Sequence, residues 1–384
     1  MTGAHRIAMV AGEASGDLLA SLLLAGLNLR RPGTASHGIG GPCMIAQGFR
    51  ADWPMEKLAV RGYVEVLRHY REITGIRRAL REQLLAVPPD LFLGVDAPDF
   101  NLELETNLRA AGIPTAHFVS PSIWAWRGGR IERIRRAVDH MLVLFPFEAA
   151  LYREAGIPAT YVGHPLADVI PREPDRAGAR QALGLAADEE VVAILPGSRL
   201  SEIRYVAPTF IEAVALMGKS APRARFIAPM AGNASAAAFA ALLAGRSDAD
   251  IRMVPGQSHT VLAACDAALV ASGTATLETA LFKRPMVIAY RMAPLSWFLM
   301  KRMKYQPWVG LPNILAGEFL VPEFLQEAAT PAALAEATLR QLRDDANRAR
   351  LTTRFAAMHA ELSQDTATRA AAVIGQLLDA RRPA

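Results

Sequence analysis

The chain has 384 residues, of which 52% are apolar and 21% charged, a composition that excludes a disordered or low-complexity protein and a length that predicts about two domains. It contains two cysteines, Cys43 and Cys265, which excludes a disulfide scaffold and a cysteine-rich zinc site and fits a reducing cytoplasm. The formal net charge of +5 suits nucleic acid, anionic lipid or phosphorylated small molecules, or an ordinary solvated basic surface, and does not choose among them.

No segment has the pattern of a secretory signal or a transmembrane helix. The N-terminal MTGAHRIAMV leads into the glycine-rich GEASGD and not into a cleavage site. The charge-free runs 110–126 and 226–245 are both interrupted by proline and polar residues. We therefore expect a protein without a membrane span.

Short apolar runs alternate with amphipathic segments of helical length. Nearly every position of the short runs is apolar, which is typical of strands buried on both faces of a parallel sheet. The alternation predicts an α/β fold. The predicted strands are 7–11, 91–95, 115–119, 140–145, 191–195, 225–228, 267–271 and 286–289, and the helical segments between them include 76–85, 102–111, 177–183, 203–217 and 274–282.

The alternation is interrupted once, in the proline-rich segment 163–176. We predict two doubly wound, Rossmann-like domains that face a cleft, at 1–165 and 177–345, joined by a hinge at 166–176. Three helical patterns follow residue 331, broken near 344–345 and 362–365, and the terminal helices of 346–384 could pack back across the hinge. Ligands of such sheets bind outside the carboxyl ends of the strands, so the loops there are the candidate sites.

The first such loop is GEASGD, which follows the first strand and opens a helix. Glycines allow the backbone to approach a ligand, and a helix N-terminus attracts anions. A carboxylate at Glu13, near a helix N-terminus, would be well placed for function, and Ser15, Gly16 and Asp17 are the other candidate residues of this loop. The alternative is a tight turn in which Ser15 or Asp17 caps the helix.

The segment GVDAPDFN ends another buried strand. Asp96 there could act as a general base that takes a proton from an attacking hydroxyl. The alternative is that Asp96 only forms the turn. We expect Asp99 to cap the next helix.

The segment SPSIWAWR follows the next strand. Its hydroxyls, indoles and guanidinium could form a polar lining, and the alternative is core packing by the tryptophans. The candidate residues are Ser120, Ser122, Trp124 and Arg127.

Two loops of the second domain suit a nucleotide. In LPGSR, the turn at Gly197 and Ser198 opens a helix and Arg199 adds a guanidinium, a combination that suits a diphosphate; the alternative is a turn with a solvated arginine. In SGTATLE, the residues Ser272, Gly273 and Thr274 present donors at a helix start. Glu278 lies four residues beyond Thr274 on the same helix face, where it could accept hydrogen bonds from ribose hydroxyls.

The histidines are scattered, and neither a metal-ligand pattern nor a G-x-S-x-G elbow occurs, so we expect no metal site and no hydrolase triad. Two stretches, 58–78 and 294–312, interleave apolar and basic residues in the way that a peripheral membrane surface requires. The alternative is a pair of amphipathic core helices. The candidate lipid contacts are Val64, Val66, Trp297, Phe298, Met300, Lys301 and Arg302.

Seven motifs follow one another across nearly the whole chain: GEASGD, VDAPDFN, SPSIWAWR, GHPLAD, LPGSR, SGTATLE and LPN. In this order they resemble the lipid-A-disaccharide synthases of Gram-negative bacteria. The resemblance implies an inverting glycosyltransferase with the two-domain GT-B architecture. It would join UDP-2,3-diacylglucosamine to 2,3-diacylglucosamine 1-phosphate, giving a β(1→6)-linked tetraacyl disaccharide 1-phosphate and UDP. It would need no metal or other cofactor and would work in the cytoplasm at the inner membrane face.

The resemblance also implies residue roles and partners. Asp96 would be the base, with Glu13 as its rival, and the candidate residues at 15–17 and in SPSIWAWR would serve the acceptor. Glu278 and Asn313 would face the nucleotide beside the LPGSR and SGTATLE loops, the latter including Thr276. The terminal helices of this family can swap between the protomers of a homodimer, and no nucleic acid partner is expected. Two alternatives are a GT-B UDP-sugar epimerase, which would use the same second-domain loops, and a non-catalytic UDP-sugar- or lipid-binding module.

Overall fold

The computed structural model describes residues 5–58, 63–124, 128–293, 297 and 307–380, with the backbone alone described at 63–70 and 128. These residues form two compact units. The first comprises Met1–Asp168 together with Leu362–Ala384, and the second comprises Val169–Glu361. The terminal segment that the sequence analysis set apart is therefore divided between the two units.

The first unit is built on a seven-stranded parallel sheet with the order β3-β2-β1-β4-β5-β6-β7. Its strands are β1 (Arg6–Ala11), β2 (Ala35–Gly40), β3 (Arg50–Pro54), β4 (Leu91–Val95), β5 (Thr115–Phe118), β6 (His140–Val143) and β7 (Ala159–Tyr161). The helices that precede the second unit are α1 (Ala14–Arg30), α2 (Pro42–Ala46), α3 (Tyr63–Ala86), α4 (Pro98–Ala110), α5 (Ile131–Ala137), α6 (Pro146–Glu154) and α7 (Pro165–Val169).

The second unit is built on a six-stranded parallel sheet with the order β10-β9-β8-β11-β12-β13. Its strands are β8 (Val191–Leu195), β9 (Arg225–Met230), β10 (Ile251–Pro255), β11 (Ala267–Ala271), β12 (Met286–Tyr290) and β13 (Glu323–Leu325). Its helices are α8 (Arg176–Leu183), α9 (Leu200–Ser220), α10 (Asn233–Leu243), α11 (Ser258–Ala264), α12 (Thr274–Leu281), α13 (Leu311–Ala316), α14 (Pro331–Arg343) and α15 (Asp345–Leu362).

The last helix, α16 (Thr366–Asp379), returns to the first unit and packs along α1. Gly26 makes this crossing close, because a Cβ there would lie 2.6 Å from the carbonyl oxygen of Ala367. Arg31, just after α1, donates to the carbonyl of Gly375 and pairs with Asp379. The first unit is thus completed by a segment that begins about 200 residues after Asp168, where its first part ends.

All eight predicted strands are present, and the three predicted terminal helices begin and end close to the predicted breaks. Five strands were not predicted: β2, β3, β7, β10 and β13. Four of these are the outer strands of the two sheets. An outer strand is covered less completely and therefore carries polar residues, as in RADWP and IRMVP, so it lacks the continuous apolar run used for prediction.

Each sheet has one point at which the strand order reverses, between β1 and β4 in the first unit and between β8 and β11 in the second. Loops diverge at such a point and leave a crevice at the carboxyl ends of the strands. The loops that leave these four strands are GEASGD, VDAPDFN, LPGSR and SGTATLE. Within the described ranges, no helix combines the length and hydrophobicity needed to cross a membrane.

Candidate functional site

The second unit holds a pocket of about 450 Å³ at its reversal point. This volume falls in the range of small-molecule sites. The loops after β8, β9, β10 and β11 all contribute to it, and six of the predicted nucleotide residues line it directly together with Glu278. The lining includes Gly197, Ser198, Arg199, Ser272, Gly273, Thr274 and Glu278.

The turn before α9 binds an anionic oxygen in this structure. The backbone N–H groups of Ser198 and Arg199 both donate to Oε2 of Glu202, at 2.9 and 3.1 Å. Gly197 has φ +112°, and a Cβ there would lie 2.5 Å from Glu202, so only glycine allows this approach. The guanidinium of Arg199 is 60% exposed and pairs with Glu202 at 3.3 Å. The turn therefore has the donor geometry that an anionic oxygen requires.

The start of α12 forms the opposite wall of the pocket. Gly273 is the N-cap residue, and Ser272 Oγ donates to the carbonyl of Val309 at 3.0 Å. One turn into the helix, Glu278 lies with its carboxylate 3.9 Å from Nε2 of His259. Burial raises the pKa of Glu278, and the nearby imidazole of His259 partly offsets this rise. Glu278 thus offers a hydrogen-bond acceptor inside the pocket.

Two predicted nucleotide residues lie elsewhere. Thr276 is fully buried, and its hydroxyl donates to the carbonyl of Gly273 at 2.8 Å and accepts from the backbone N–H of Leu311 at 3.3 Å. Asn313 is also fully buried. Its amide donates to the carbonyl of Val321 and to Glu323, while its oxygen accepts from two backbone N–H groups of the 320–321 segment. Both side chains hold neighbouring backbone in this structure, and their contact with nucleotide stays a prediction.

Sequence reasoning missed part of the pocket. The end of β9 contributes Pro229 and Met230, the loop after it contributes Ala231, and the segment after β10 contributes Gly256 and Ser258. The segment after β10 has a glycine at φ +68° followed closely by serine at a strand end, much like the turn at 197–198. That signal went unrecognised because the outer strand β10 was not predicted.

The two predicted acid candidates of the first unit lie at its reversal point. Glu13 is the N-cap residue of α1 directly after β1, and Asp96 follows β4, the strand paired with β1. The loops touch, since a Cβ at Gly12 would lie 2.9 Å from Cβ of Ala97. Both carboxylic residues are half-buried. The structure thus brings the two loops together, as their positions after adjacent strands predicted.

Backbone strain is concentrated beside Asp96. Asp96 and Ala97 have φ values of +52° and +44°, and after the neighbouring strand β5 Val119 and Ser122 have +82° and +44°. Such conformations cost about 1–3 kcal/mol each for residues other than glycine and persist where the surroundings impose them. Asn101 helps to maintain the left-handed conformation of Asp96, because its Nδ2 donates to the carbonyl of Asp96 at 2.8 Å.

Neither predicted capping role is correct. Asp17 is buried and accepts from the backbone N–H groups of Gly41, Cys43 and Met44 at 2.9–3.0 Å, so it fixes the start of α2 rather than that of α1. Asp99 lies inside the first turn of α4, where it pairs with Arg130 at 2.8 Å.

Around Asp17, Ser15 is exposed and Gly16 is buried against the end of β4. Of the three residues at 15–17, Asp17 thus uses its carboxylate to bind backbone N–H groups of the first unit. The acceptor roles of all three residues stay predictions.

The loop after β5 rests on a buried acid. Glu148 accepts from the indole N–H of Trp124 at 2.8 Å and from the backbone N–H of Phe145 at 3.0 Å. Burial raises the pKa of Glu148 to about 7, against the effect of these donors. Ser120 shares a hydrogen bond of 2.8 Å with Tyr152, and burial raises the pKa of that phenol. Trp124 and Ser120 therefore have internal partners, which fits the packing alternative, whereas Ser122 is half-buried.

The predicted lipid contacts lie mostly outside the described residues, as does Arg127. Val64 and Val66 fall in α3 where the backbone alone is described, and Trp297 is half-buried with its backbone N–H on the carbonyl of Ala293 at 3.0 Å. The predicted lipid contacts outside the described residues are Phe298, Met300, Lys301 and Arg302.

In the part of the chain that the structure describes, no three His, Cys, Asp or Glu residues are grouped as metal ligands would be.

Comparison with known proteins agrees with this arrangement. Residues 7–374 match the family model described as lipid-A-disaccharide synthetase. A lipid-A-disaccharide synthase of Burkholderia pseudomallei (strain 1710b) is 57% identical over 379 residues, covering 98% of each chain.

Among solved structures, UDP-GlcNAc 2-epimerase from Neisseria meningitidis bound to UDP-GlcNAc has a TM-score of 0.64 at 13% identity, covering 98% of this chain and 100% of its own. The calicheamicin glycosyltransferase CalG4 has a TM-score of 0.62 at 17% identity, with both chains covered fully. An epimerase and a glycosyltransferase are thus similar to this chain in fold, so the fold alone does not identify the family. The family model and the 57% identical relative do. The chain belongs to the lipid-A-disaccharide synthase family, glycosyltransferases of the GT-B fold.

Proposed function

We propose that this chain transfers 2,3-diacylglucosamine from UDP to the 6-hydroxyl of 2,3-diacylglucosamine 1-phosphate. The acceptor oxygen attacks the anomeric carbon, the bond from that carbon to the UDP oxygen breaks, and UDP leaves with the electron pair. The hydroxyl proton passes to a carboxylate of the first unit, and the new linkage is β(1→6). The observation that carries this proposal is the anion-binding turn at 197–199, which opens into the pocket facing the start of α12.

The diphosphate would displace the Glu202 carboxylate. That carboxylate caps the helix by accepting from the N–H groups of Ser198 and Arg199, and this contact supports the proposal that the two groups can bind an anionic oxygen. The Arg199 guanidinium, which is mostly exposed, and the N-terminus of α12 would add positive potential where negative charge develops on UDP. Glu278 would accept from the ribose hydroxyls.

Asp96 is our choice for the base, and Glu13 is the rival. The strained backbone at Asp96 and Ala97 supports this choice, since strain that the surroundings maintain is typical of functional sites. A sugar hydroxyl is a weak nucleophile, and a positioned base contributes about 10²- to 10⁴-fold to such a reaction.

We also propose that the reaction needs no metal or other cofactor and takes place on the cytoplasmic face of the inner membrane, where both lipid substrates reside. The stretches 58–78 and 294–312 would contact the acyl chains and the membrane surface, because they combine apolar and basic residues. A homodimer with exchanged terminal helices is a further expectation, which chromatography with light scattering would test.

The test is an incubation of the purified protein with both lipid substrates in the presence of EDTA, with UDP and disaccharide measured together. Equal amounts of the two, formed only with acceptor present, are expected. UDP without disaccharide would indicate hydrolysis or epimerase-like chemistry instead. Neither product, with UDP-sugar still bound, would favour a binding module, and activity lost with EDTA but restored by Mg²⁺ would refute metal independence.

A further inference from the structure

A buried polar cluster lies directly beneath the Asp96 loop. Its members are Asn101 and Glu105 on α4 and His117 on β5, and all three side chains are fully buried. Nδ1 of His117 and Oε1 of Glu105 are 2.7 Å apart. The pair lies against Gly94 of β4, where a Cβ would be 2.1 Å from Glu105 and 3.0 Å from His117. The strand that precedes Asp96 therefore accommodates this pair only because it carries glycine there.

We propose that Asn101, Glu105 and His117 form a positioning set for Asp96, which fixes its backbone and places a positive charge beneath its carboxylate. The inference rests on the proposed role of Asp96 as base. None of the three touches substrate in this scheme, so they are positioning residues.

The backbone part of the proposal rests on Asn101. Its Nδ2 donates both to the carbonyl of Asp96 at 2.8 Å and to the carbonyl of Val10 at 3.3 Å. Val10 is on β1, two residues before the GEASGD loop. One amide therefore holds the ends of both strands at the reversal point and maintains the left-handed conformation of Asp96.

The charge part rests on His117. Burial lowers its pKa, but the carboxylates of Glu105 and Asp96 outweigh burial and raise it above its usual value. Burial raises the pKa of Glu105 as well, against the effect of the imidazole. Gly94 and Met141, which pair with His117 on the neighbouring strands, are uncharged. In the proposal, a protonated His117 stabilises the negative charge of the base.

The cost of this cluster also points away from a purely structural role. Within the described residues, three of its buried atoms have no hydrogen-bond partner: Oδ1 of Asn101, Oε2 of Glu105 and Nε2 of His117. A buried ion pair is rarely more stabilising than apolar residues of the same volume, and incompletely satisfied polar networks are less stabilising still. A function for Asp96 explains why such a cluster is present at this point.

The test uses the full-length variants E105Q and H117N with both lipid substrates. E105Q keeps an acceptor for the imidazole but removes the charge that keeps it protonated. We expect kcat on the acid limb of the pH profile to fall by up to about 10-fold in both variants while KM for each substrate stays within about twofold. Because the positive charge is lost, the acid limb of the kcat profile should move up by about one pH unit. H117N serves alone if E105Q does not fold.

T115V is the matched control. Thr115 is fully buried on the same strand, and its hydroxyl donates to the carbonyl of Ala137 at 2.8 Å, away from Asp96. T115V should lower the thermal midpoint but leave kcat and the pH profile unchanged. If T115V reproduces the loss of kcat, or if E105Q and H117N keep the wild-type profile, the inference is overturned. D96N separates the two proposals: an active D96N refutes the base, whereas an inactive D96N beside fully active E105Q and H117N refutes the positioning set alone.

Discussion

Two buried titratable side chains flank Phe145 in the first unit and should give opposite dependences of stability on pH. Glu148 accepts from the Phe145 backbone N–H at 3.0 Å, and His164 stacks on the Phe145 ring with centroids 5.5 Å apart. Burial raises the pKa of Glu148 from 4.5 to about 7. Burial lowers the pKa of His164 from 6.5 to about 4, partly opposed by Asp168.

Each shift is worth about 3 kcal/mol, at about 1.4 kcal/mol for a tenfold change in an ionisation constant. Glu148 folds more favourably when protonated, so its contribution is complete below pH 4.5 and is lost as the pH rises to about 7. His164 folds more favourably when neutral, so its contribution is complete above pH 6.5 and is lost as the pH falls to about 4. Between these limits the two contributions offset each other in the wild type.

The substitution Glu148→Gln removes one of the two titrations. In E148Q, the contribution of His164 to the free energy of unfolding should then rise from pH 4.5 to pH 7.5, because His164 loses its proton in the unfolded chain over this interval. The wild-type value minus the E148Q value should fall by about 3 kcal/mol over the same interval. Urea unfolding followed by fluorescence and circular dichroism at several pH values measures this difference, in which all other titrating groups cancel.

His164→Gln should give the opposite slope. Glu132→Gln is the control, because Glu132 is 58% exposed, and its difference from wild type should vary by less than about 0.5 kcal/mol with pH. If the difference between wild type and E148Q changes by less than about 1 kcal/mol between pH 4.5 and 7.5, Glu148 does not titrate as its burial requires, and the argument is wrong.

Three further predictions concern the proposed reaction. D96A should reduce turnover by about 10²-fold or more while UDP still binds, since the base acts on the acceptor alone; unchanged turnover would remove Asp96 as base. R199A should weaken UDP binding by about 1.5–3 kcal/mol in titration calorimetry, the range for a charge-assisted contact, whereas R204A, on the same helix but outside the pocket lining, should not. Replacing Trp297, Phe298 and Met300 by serine should reduce co-sedimentation of the protein with anionic liposomes. Co-sedimentation at the wild-type level would refute the membrane contact.

Sequence periodicity predicted the architecture because the inner strands of a parallel sheet are buried on both faces. Val191–Leu195 and Ala267–Ala271 are apolar at every position, and both are fully buried inner strands. The outer strand Ile251–Pro255 exposes three of its five residues at least partly, so its sequence resembles a loop. The loop after it, which contributes to the pocket of the second unit, could not be found for the same reason.

The location of the candidate site could be predicted more fully than the roles of its residues. Motifs at strand ends predict which loops meet, because the reversal point of a sheet brings them together. They do not predict which side chain faces the crevice. Asp17 binds backbone N–H groups 24 to 27 residues away, a partner that no local pattern indicates. The buried pair of Glu105 and His117 likewise could not be predicted, because its position depends on the register of β4 against β5.

Asn313 shows how this difference between location and role can be measured. Its amide holds two backbone N–H groups, one carbonyl and the carboxylate of Glu323, which itself accepts from the backbone N–H groups of Val309 and Gly310 at 2.9 and 2.8 Å. N313A would leave several of these buried groups without partners, at about 1–3 kcal/mol each. We therefore expect N313A to lower the unfolding midpoint and UDP affinity together.

R199A provides the comparison, because Arg199 is mostly exposed and its loss should lower affinity without lowering the midpoint. If N313A loses UDP binding at an unchanged midpoint, Asn313 contacts the nucleotide directly, in a conformation different from the one described here. If N313A loses stability and keeps its affinity, the 307–325 segment does not shape the pocket. A loss of both would mean that the LPN motif acts through the backbone it holds, so that a residue can be essential to a site without touching its ligand.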